Sequence, residues 1–233
     1  MINSINWKGI DSNTIDGLLI CELPPITKPK MRVKETFIDG VDGSFIEELG
    51  YESYDKLIKI GLKREHDIDE ILDYFNGEGD LILSNEEDKM YKAKIINQID
   101  YNRLLRFRTA DVVFRVQPYK YSSNDLYRAF DITDQTSINI YNNGNVASKP
   151  TIKMTGSGTI EFKLEGITIF QYTFPADDTY VTIDSDKQDA YVGNTLKNRS
   201  MNGDFPIFKK GKNTITWTGT INKIEISNFS RWL

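Results

Sequence analysis

The feature that most narrows what this chain can fold into is a period-two alternation of apolar and polar residues. It is strict in Thr159-Ile160-Glu161-Phe162-Lys163-Leu164-Glu165. Successive side chains of an extended strand point to opposite faces. Ile160, Phe162 and Leu164 therefore share one face and the charges the other, as in a sheet with one wet side. Ile138 and Ile140, Ile152 and Met154, Val181 and Ile183, Ile215 and Trp217, and Ile224 and Ile226 repeat the pattern. Turn chemistry falls between these runs, at Asn142-Asn143-Gly144-Asn145, Gly156-Ser157-Gly158, Gly166 and Thr218-Gly219-Thr220. Short alternating strands with regular turn signals predict an antiparallel β-sandwich from about Phe130 to the C-terminus.

The first half reads as β-structure with one helix. Met31–Ile38 and Ser44–Leu49 flank Asp39-Gly40-Val41-Asp42-Gly43, a hairpin tip by composition. Tyr54–Lys63 alternates, with Ile58, Ile60 and Leu62 on one side. The predicted helix follows: Asp67 caps it, Glu70 stands at the capping-box position, and Ile68, Ile71, Leu72 and Phe75 keep helical spacing up to Asn76-Gly77. Leu81–Ser84 and Met90–Gln98 form a second expected hairpin, and Leu104–Gln117 a further strand ending at Pro118. At 233 residues the chain is longer than one ordinary domain needs. The expected boundary lies in Pro118–Leu126, with residues 1–121 as one domain and 127–233 as the other.

Composition removes several function classes. A single cysteine, Cys21, makes no intrachain disulfide, and a single histidine, His66, supplies no multi-histidine metal site. Ser–His–Asp or Cys–His catalysis would have to run through His66, which sits between Glu65 and Asp67 and reads as a solvated loop residue. The net charge of −5 is unsuited to a nucleic-acid surface, which needs a surplus of Lys and Arg. No apolar run reaches the ~20 residues of a membrane helix, and no signal-peptide pattern is visible, so the expectation is a soluble protein made in a cytoplasm. Trp217 alternates in phase with Ile215 and reads as core, and Trp232 as packing back onto the body. Tyr191 with Asn194, Lys197, Asn198 and Arg199 is the polar cluster best suited to a sugar, with a solvated loop as the plainer reading. Asp184-Ser185-Asp186-Lys187-Gln188-Asp189 lacks the glycine and glutamate of a calcium loop. Gly156-Ser157-Gly158 lacks the rest of a dinucleotide fingerprint and reads as a hairpin turn. A glycosidase carboxylate pair stays open, because sequence gives no distance. The reading assigns no catalytic, cofactor-binding or metal residues, and no cofactor.

The order of several segments resembles the distal tail protein family of siphophages that infect Gram-positive bacteria. The resemblance lies in Trp7-Lys8-Gly9-Ile10-Asp11-Ser12, Asp39–Gly43, Asn76-Gly77-Glu78-Gly79-Asp80-Leu81-Ile82-Leu83-Ser84 and Asp88-Lys89-Met90-Tyr91-Lys92-Ala93. It continues in Asn143-Gly144-Asn145, Ser148-Lys149-Pro150, Asn202-Gly203-Asp204-Phe205-Pro206 and Gly211-Lys212-Asn213-Thr214-Ile215, nearly the whole chain. It implies a mainly β protein: an N-terminal β-barrel or sandwich-like domain with one α-helix, then a galectin-like antiparallel β-sandwich. It further implies a non-enzymatic hub of a phage or prophage tail, one whose short C-terminal domain leaves little room for the arm that larger relatives carry there. This hub would be a homo-hexameric ring that joins the tail tube protein to the tail-associated tip protein, near the tape measure protein and receptor-binding proteins. DNA would pass through its lumen, no membrane would be involved, and the location would be the virion tail. The hairpin around Asp39–Gly43 would reach a neighbour or the lumen, an ordinary surface hairpin being the alternative. The competing function is a carbohydrate-binding module for cell-wall glycan.

Overall fold

The computed structural model describes residues 3–125, 128–130, 132 and 135–233. The chain divides into two compact units, Met1–Lys120 with Leu233, and Tyr121–Trp232. Leu126, the end of the expected boundary segment, and Tyr127, the expected start of the second domain, lie outside the described residues.

The first unit opens with strands β1 (Ile5–Trp7) and β2 (Ile10–Asp11), joined by Lys8-Gly9. Both linking residues have positive φ, 55° and 85°, the turn whose twist matches that of the flanking strands. Then come β3 (Leu18–Glu22), β4 (Met31–Thr36), β5 (Phe45–Tyr51) and β6 (Tyr54–Leu62). Helix α1 (Ile68–Tyr74), β7 (Glu78–Leu83), β8 (Lys89–Ile95), helix α2 (Tyr101–Phe107) and β9 (Thr109–Ser122) complete it. The main sheet has the order β2-β1-β7-β8-β9-β6-β3, while β4 and β5 form a two-stranded sheet of their own.

Period two on β6 and β9 sends Ile58, Ile60, Leu62, Val112, Phe114 and Val116 to one buried face. Helix α1 lays Ile71, Tyr74 and Phe75 into the same core. Trp7 meets Phe114 edge-on at 5.0 Å, and Phe75 meets Phe114 at 6.4 Å. Asp67 caps α1 by accepting from the N–H groups of Asp69 and Glu70. Glu70 does not return a bond to the cap. Its carboxylate accepts from the Asp16 N–H at 3.1 Å, so the expected capping box is replaced by a tie to the loop before β3.

Two expectations change in this unit. Residues 101–107 are a second helix rather than the beginning of a strand. Asp100 caps it by accepting from the Arg103 N–H, and Arg108 ends it with φ of 61°. Among the described side chains of this helix only Leu104 is placed in the core, so no apolar stripe announces it. Nor does Pro118 stop β9. It lies beyond Val116, the last residue paired with β6, where a missing N–H removes no bond from that ladder.

The second unit contains β10 (Arg128–Phe130), β11 (Ser137–Asn142), β12 (Thr151–Leu164), β13 (Ile167–Thr173) and β14 (Tyr180–Asp184). After these come β15 (Asp189–Val192), β16 (Thr195–Leu196), β17 (Met201–Gly203), β18 (Gly211–Ser227) and β19 (Arg231–Trp232). Its layers are made by two long strands that change sheet. The start of β12 pairs with β14 and the end of β18; the end of β12 pairs with β13 and the start of β18. The register breaks between Thr155 and Gly156 and again between Ser157 and Glu161, where the shared ribbon bends. Gly156-Ser157-Gly158 and Thr218-Gly219-Thr220 are therefore bends inside continuous strands, not the turns their composition suggests. Between the layers lie Ile152, Met154, Ile160, Phe162, Phe170, Ile183, Ile215 and Ile224, with Phe162 and Phe170 stacked at 4.9 Å.

The bend has no room for a Cβ at Gly156 or at Gly219. A Cβ on Gly219 would stand 2.4 Å from the Thr159 carbonyl oxygen, and φ there is +87°. We expect Gly219→Ala to lower unfolding free energy by roughly 2–4 kcal/mol, the sum of left-handed strain and a backbone clash. Gly158→Ala also has positive φ but open space around it, and should lose only about 1 kcal/mol. Urea unfolding of the three proteins measures the difference.

Candidate assembly surface

The hairpin β4–β5 is an arm. Its strands pair only with each other among the described residues, with Lys34 opposite Glu47 and Glu35 opposite Ile46. Both outer edges thus lack a strand partner, a template for pairing or docking. Residues 32–50 are all exposed. At the far end Phe37 is 73% exposed, Phe45 62% and Ile46 62%, with Ile38 and Val41 also open. Period two places Ile46 and Phe45 on opposite faces, so apolar side chains stand on both sides. Such an arm suits insertion against a partner rather than one-sided packing on a flat surface. A cluster of exposed large apolar residues of this kind marks an interaction site.

The arm's root is held by polar side chains of the sheet. The Lys56 ammonium donates to the Pro25 carbonyl at 3.1 Å, and Asn85 Nδ2 donates to the Pro24 carbonyl at 3.0 Å. Tyr54 Oη reaches the Thr27 carbonyl at 3.5 Å. Three successive points of the strap leading into β4 are therefore anchored through their carbonyls. Lys56 is only 1% exposed and lies over the Tyr91 ring at 4.9 Å and the Tyr54 ring at 5.5 Å. Glu86 supplies the compensating charge: it pairs with Lys120 at 2.7 Å and accepts a bond from the Tyr91 hydroxyl. Burial, opposed by Glu86, brings Lys56 down to about 8, while burial together with Glu86 pushes Tyr54 up to about 12. Lys56 sits in phase with Ile58 and Ile60 on β6, a signal in the sequence that an apolar/polar reading passes over.

The other candidate residues are spread through the fold. His66 is half-buried in the loop before α1, with Nδ1 3.3 Å from the Arg64 carbonyl oxygen. Trp217 is 6% exposed in the second core, and Trp232 is half-buried on β19. The polar cluster does not converge. Asn198 bonds the Ala190 N–H and Asp189 on β15, and Lys197 pairs with Asp178 in the segment before β14 at 2.7 Å, so both side chains are spent on structural contacts. Tyr191 lines a shallow cleft with Lys153, Tyr180, Thr182 and Glu225, while Asn194 and Arg199 are exposed elsewhere. Asp184 caps its own loop by accepting from the N–H groups of Asp186 and Lys187. Among the described residues no group of three His, Cys, Asp or Glu side chains is placed to hold a metal ion, and no helix is long and apolar enough to cross a membrane.

No protein-family model and no curated protein matches the sequence. Solved structures do match. The Dit protein of phage SPP1, a paradigm of the hub adsorption apparatus in phages infecting Gram-positive bacteria, aligns over 100% of both chains with a TM-score of 0.69 at 13% identity. The chain has the fold of that hub protein. A chain of the phage P2 baseplate, in its activated conformation with Ca, aligns over 100% of this chain and 99% of its own, with a TM-score of 0.52 at 10% identity. A mainly β chain with curled antiparallel sheets is thus common to this protein and the SPP1 hub.

The root makes a prediction about pH. Lys56 binds its proton less readily folded than unfolded, so between about pH 8 and 10.5 the unfolded chain holds more protons. Folding then gains stability as pH rises through that window. Lys56→Met lacks this gain. Relative to the variant, the parent should gain on the order of 1 kcal/mol per pH unit above about pH 8. Urea unfolding of both at about pH 7 and about pH 9.5 gives the comparison.

Proposed function

We propose that this chain is a structural component of a phage tail: a distal hub that works by self-assembly and docking, without catalysis. The observation that carries this reading is the full-length fold likeness to the SPP1 hub protein, which extends over both units rather than one module. In this reading the first unit forms a homo-hexameric ring between the tail tube and the tip protein. DNA passes through its centre, and the second unit is the outward β-sandwich. The arm supports a role in ring closure. A cyclic assembly needs two different complementary surfaces on each copy, and Phe37–Ile46 presents an apolar surface that the single chain leaves uncovered. Carbohydrate binding is the weaker reading, since Lys197 and Asn198 are engaged by Asp178 and Asp189 of neighbouring segments.

Six copies of a 26.8 kDa chain have a mass of about 160 kDa. The parent should reach this mass at tens of micromolar in light scattering. Replacing Ile38–Ser44 by a short Gly-Asn turn should return it to the monomer with the parent's circular dichroism spectrum. A trimmed variant that keeps the parent's mass removes the arm from the interface.

A further inference from the structure

If a ring closes through the arm, the arm needs a receiving surface, and the observations locate one. We propose that the arm of one copy docks on the basic surface formed by α2 and the turn after β6 in a second copy. This rests on the ring reading and adds the second half of its interface.

The argument is one of complementarity between two patches of the same chain. From Glu35 to Glu48 the arm carries five acids, Glu35, Asp39, Asp42, Glu47 and Glu48; Arg32 and Lys34 precede this stretch on β4, and Lys34 pairs with Glu47 at 3.8 Å. All are exposed, interleaved with the open side chains of Phe37, Ile38, Val41, Phe45 and Ile46. The second patch has the opposite sign. Arg103, Arg106 and Arg108 on and after α2 are exposed, as are Lys63 and Arg64. Backbone contacts join the two segments: Arg108 donates from its guanidinium to the Lys63 carbonyl at 3.0 Å, and the Leu62 N–H donates to the Arg108 carbonyl at 3.1 Å. Of the neighbouring acids, Asp100 and Asp67 are occupied as the caps of α2 and α1, while Glu65 is exposed beside Arg64. None of these five cations is in an ion pair among the described residues.

The basic patch is also apolar. Phe107 is 62% exposed and Leu105 44%, and the Arg106 guanidinium lies 5.3 Å from the Phe107 ring centre. Five basic residues around two open apolar side chains face an arm whose Glu35, Asp39, Asp42 and Glu48 are outside any ion pair among the described residues, set among five open apolar side chains. Both patches are uncovered in the single chain, so each is available to a neighbour. Opposite patches on one chain give the head-to-tail contact that repeats around a ring, with charge setting register and encounter rate and the apolar residues supplying burial.

The test is a charge exchange. Arg103→Glu/Arg106→Glu and Asp39→Lys/Asp42→Lys change exposed residues outside both cores, and circular dichroism checks that each folds. Alone, each double variant should raise the concentration for half-assembly at least about tenfold. Mixed in equal amounts they should recover the parent's mass, because alternating copies then meet opposite charges at every contact. A second measurement does not depend on charge. On a Cys21→Ser background, Val41→Cys with Leu105→Cys should be linked between copies by a short bismaleimide. A parent that stays monomeric contradicts the ring reading, and this interface falls with it. A parent that assembles while Arg103→Glu/Arg106→Glu assembles equally well overturns the interface and leaves the ring standing. Failure of the mixture to recover mass, together with no cross-linking, also overturns it. So does unchanged mass with lost retention of a short DNA duplex, which would assign the basic patch to nucleic acid.

Discussion

An isolated two-stranded sheet is marginal in water, because half its backbone groups face solvent and neither face is packed. The arm Met31–Tyr51 is such a sheet, and its far end adds open aromatic and branched side chains. The strap that leads into it is tied down by three side chains of the main sheet, whose donors reach carbonyls of Pro24, Pro25 and Thr27. The apolar tip is what remains for a partner to cover. Root and tip divide the work, one holding direction and the other offering surface.

Holding the root with a buried lysine is costly. A charged ammonium taken from water loses several kcal/mol of solvation, which the Pro25 carbonyl, two tyrosine rings and Glu86 only partly return. An apolar residue in its place would pack at least as well but could not grip a carbonyl. Glu86 serves two cations, since it is also the partner of buried Lys120. The hairpin turn that carries Glu86 therefore matters to the arm although it is remote from it in sequence.

Much of this architecture is legible in the sequence, because burial on one side of a sheet writes itself as alternation. Ile160, Phe162 and Leu164 are buried as their spacing requires, and Asp67 caps the helix it precedes. What is not legible is set by tertiary context. Glycines at 156 and 219 look like turns, yet they are places where two strands approach too closely for a Cβ. Among its described side chains helix α2 has a single core residue and so no stripe, although Asp100 as a cap ahead of Arg103-Leu104-Leu105-Arg106 is a local trace of it. Lys56 is hidden because a period-two reading assigns lysine to water. The acidic arm and the basic helix are each visible in sequence; their relation emerges only when the fold shows both uncovered.

The central claim is that this chain acts as copies closed into a ring. Negative-stain electron microscopy of the purified protein addresses it most directly. The account predicts six-fold annular particles with a central opening; single-copy particles at every concentration, with no annular class, would contradict it.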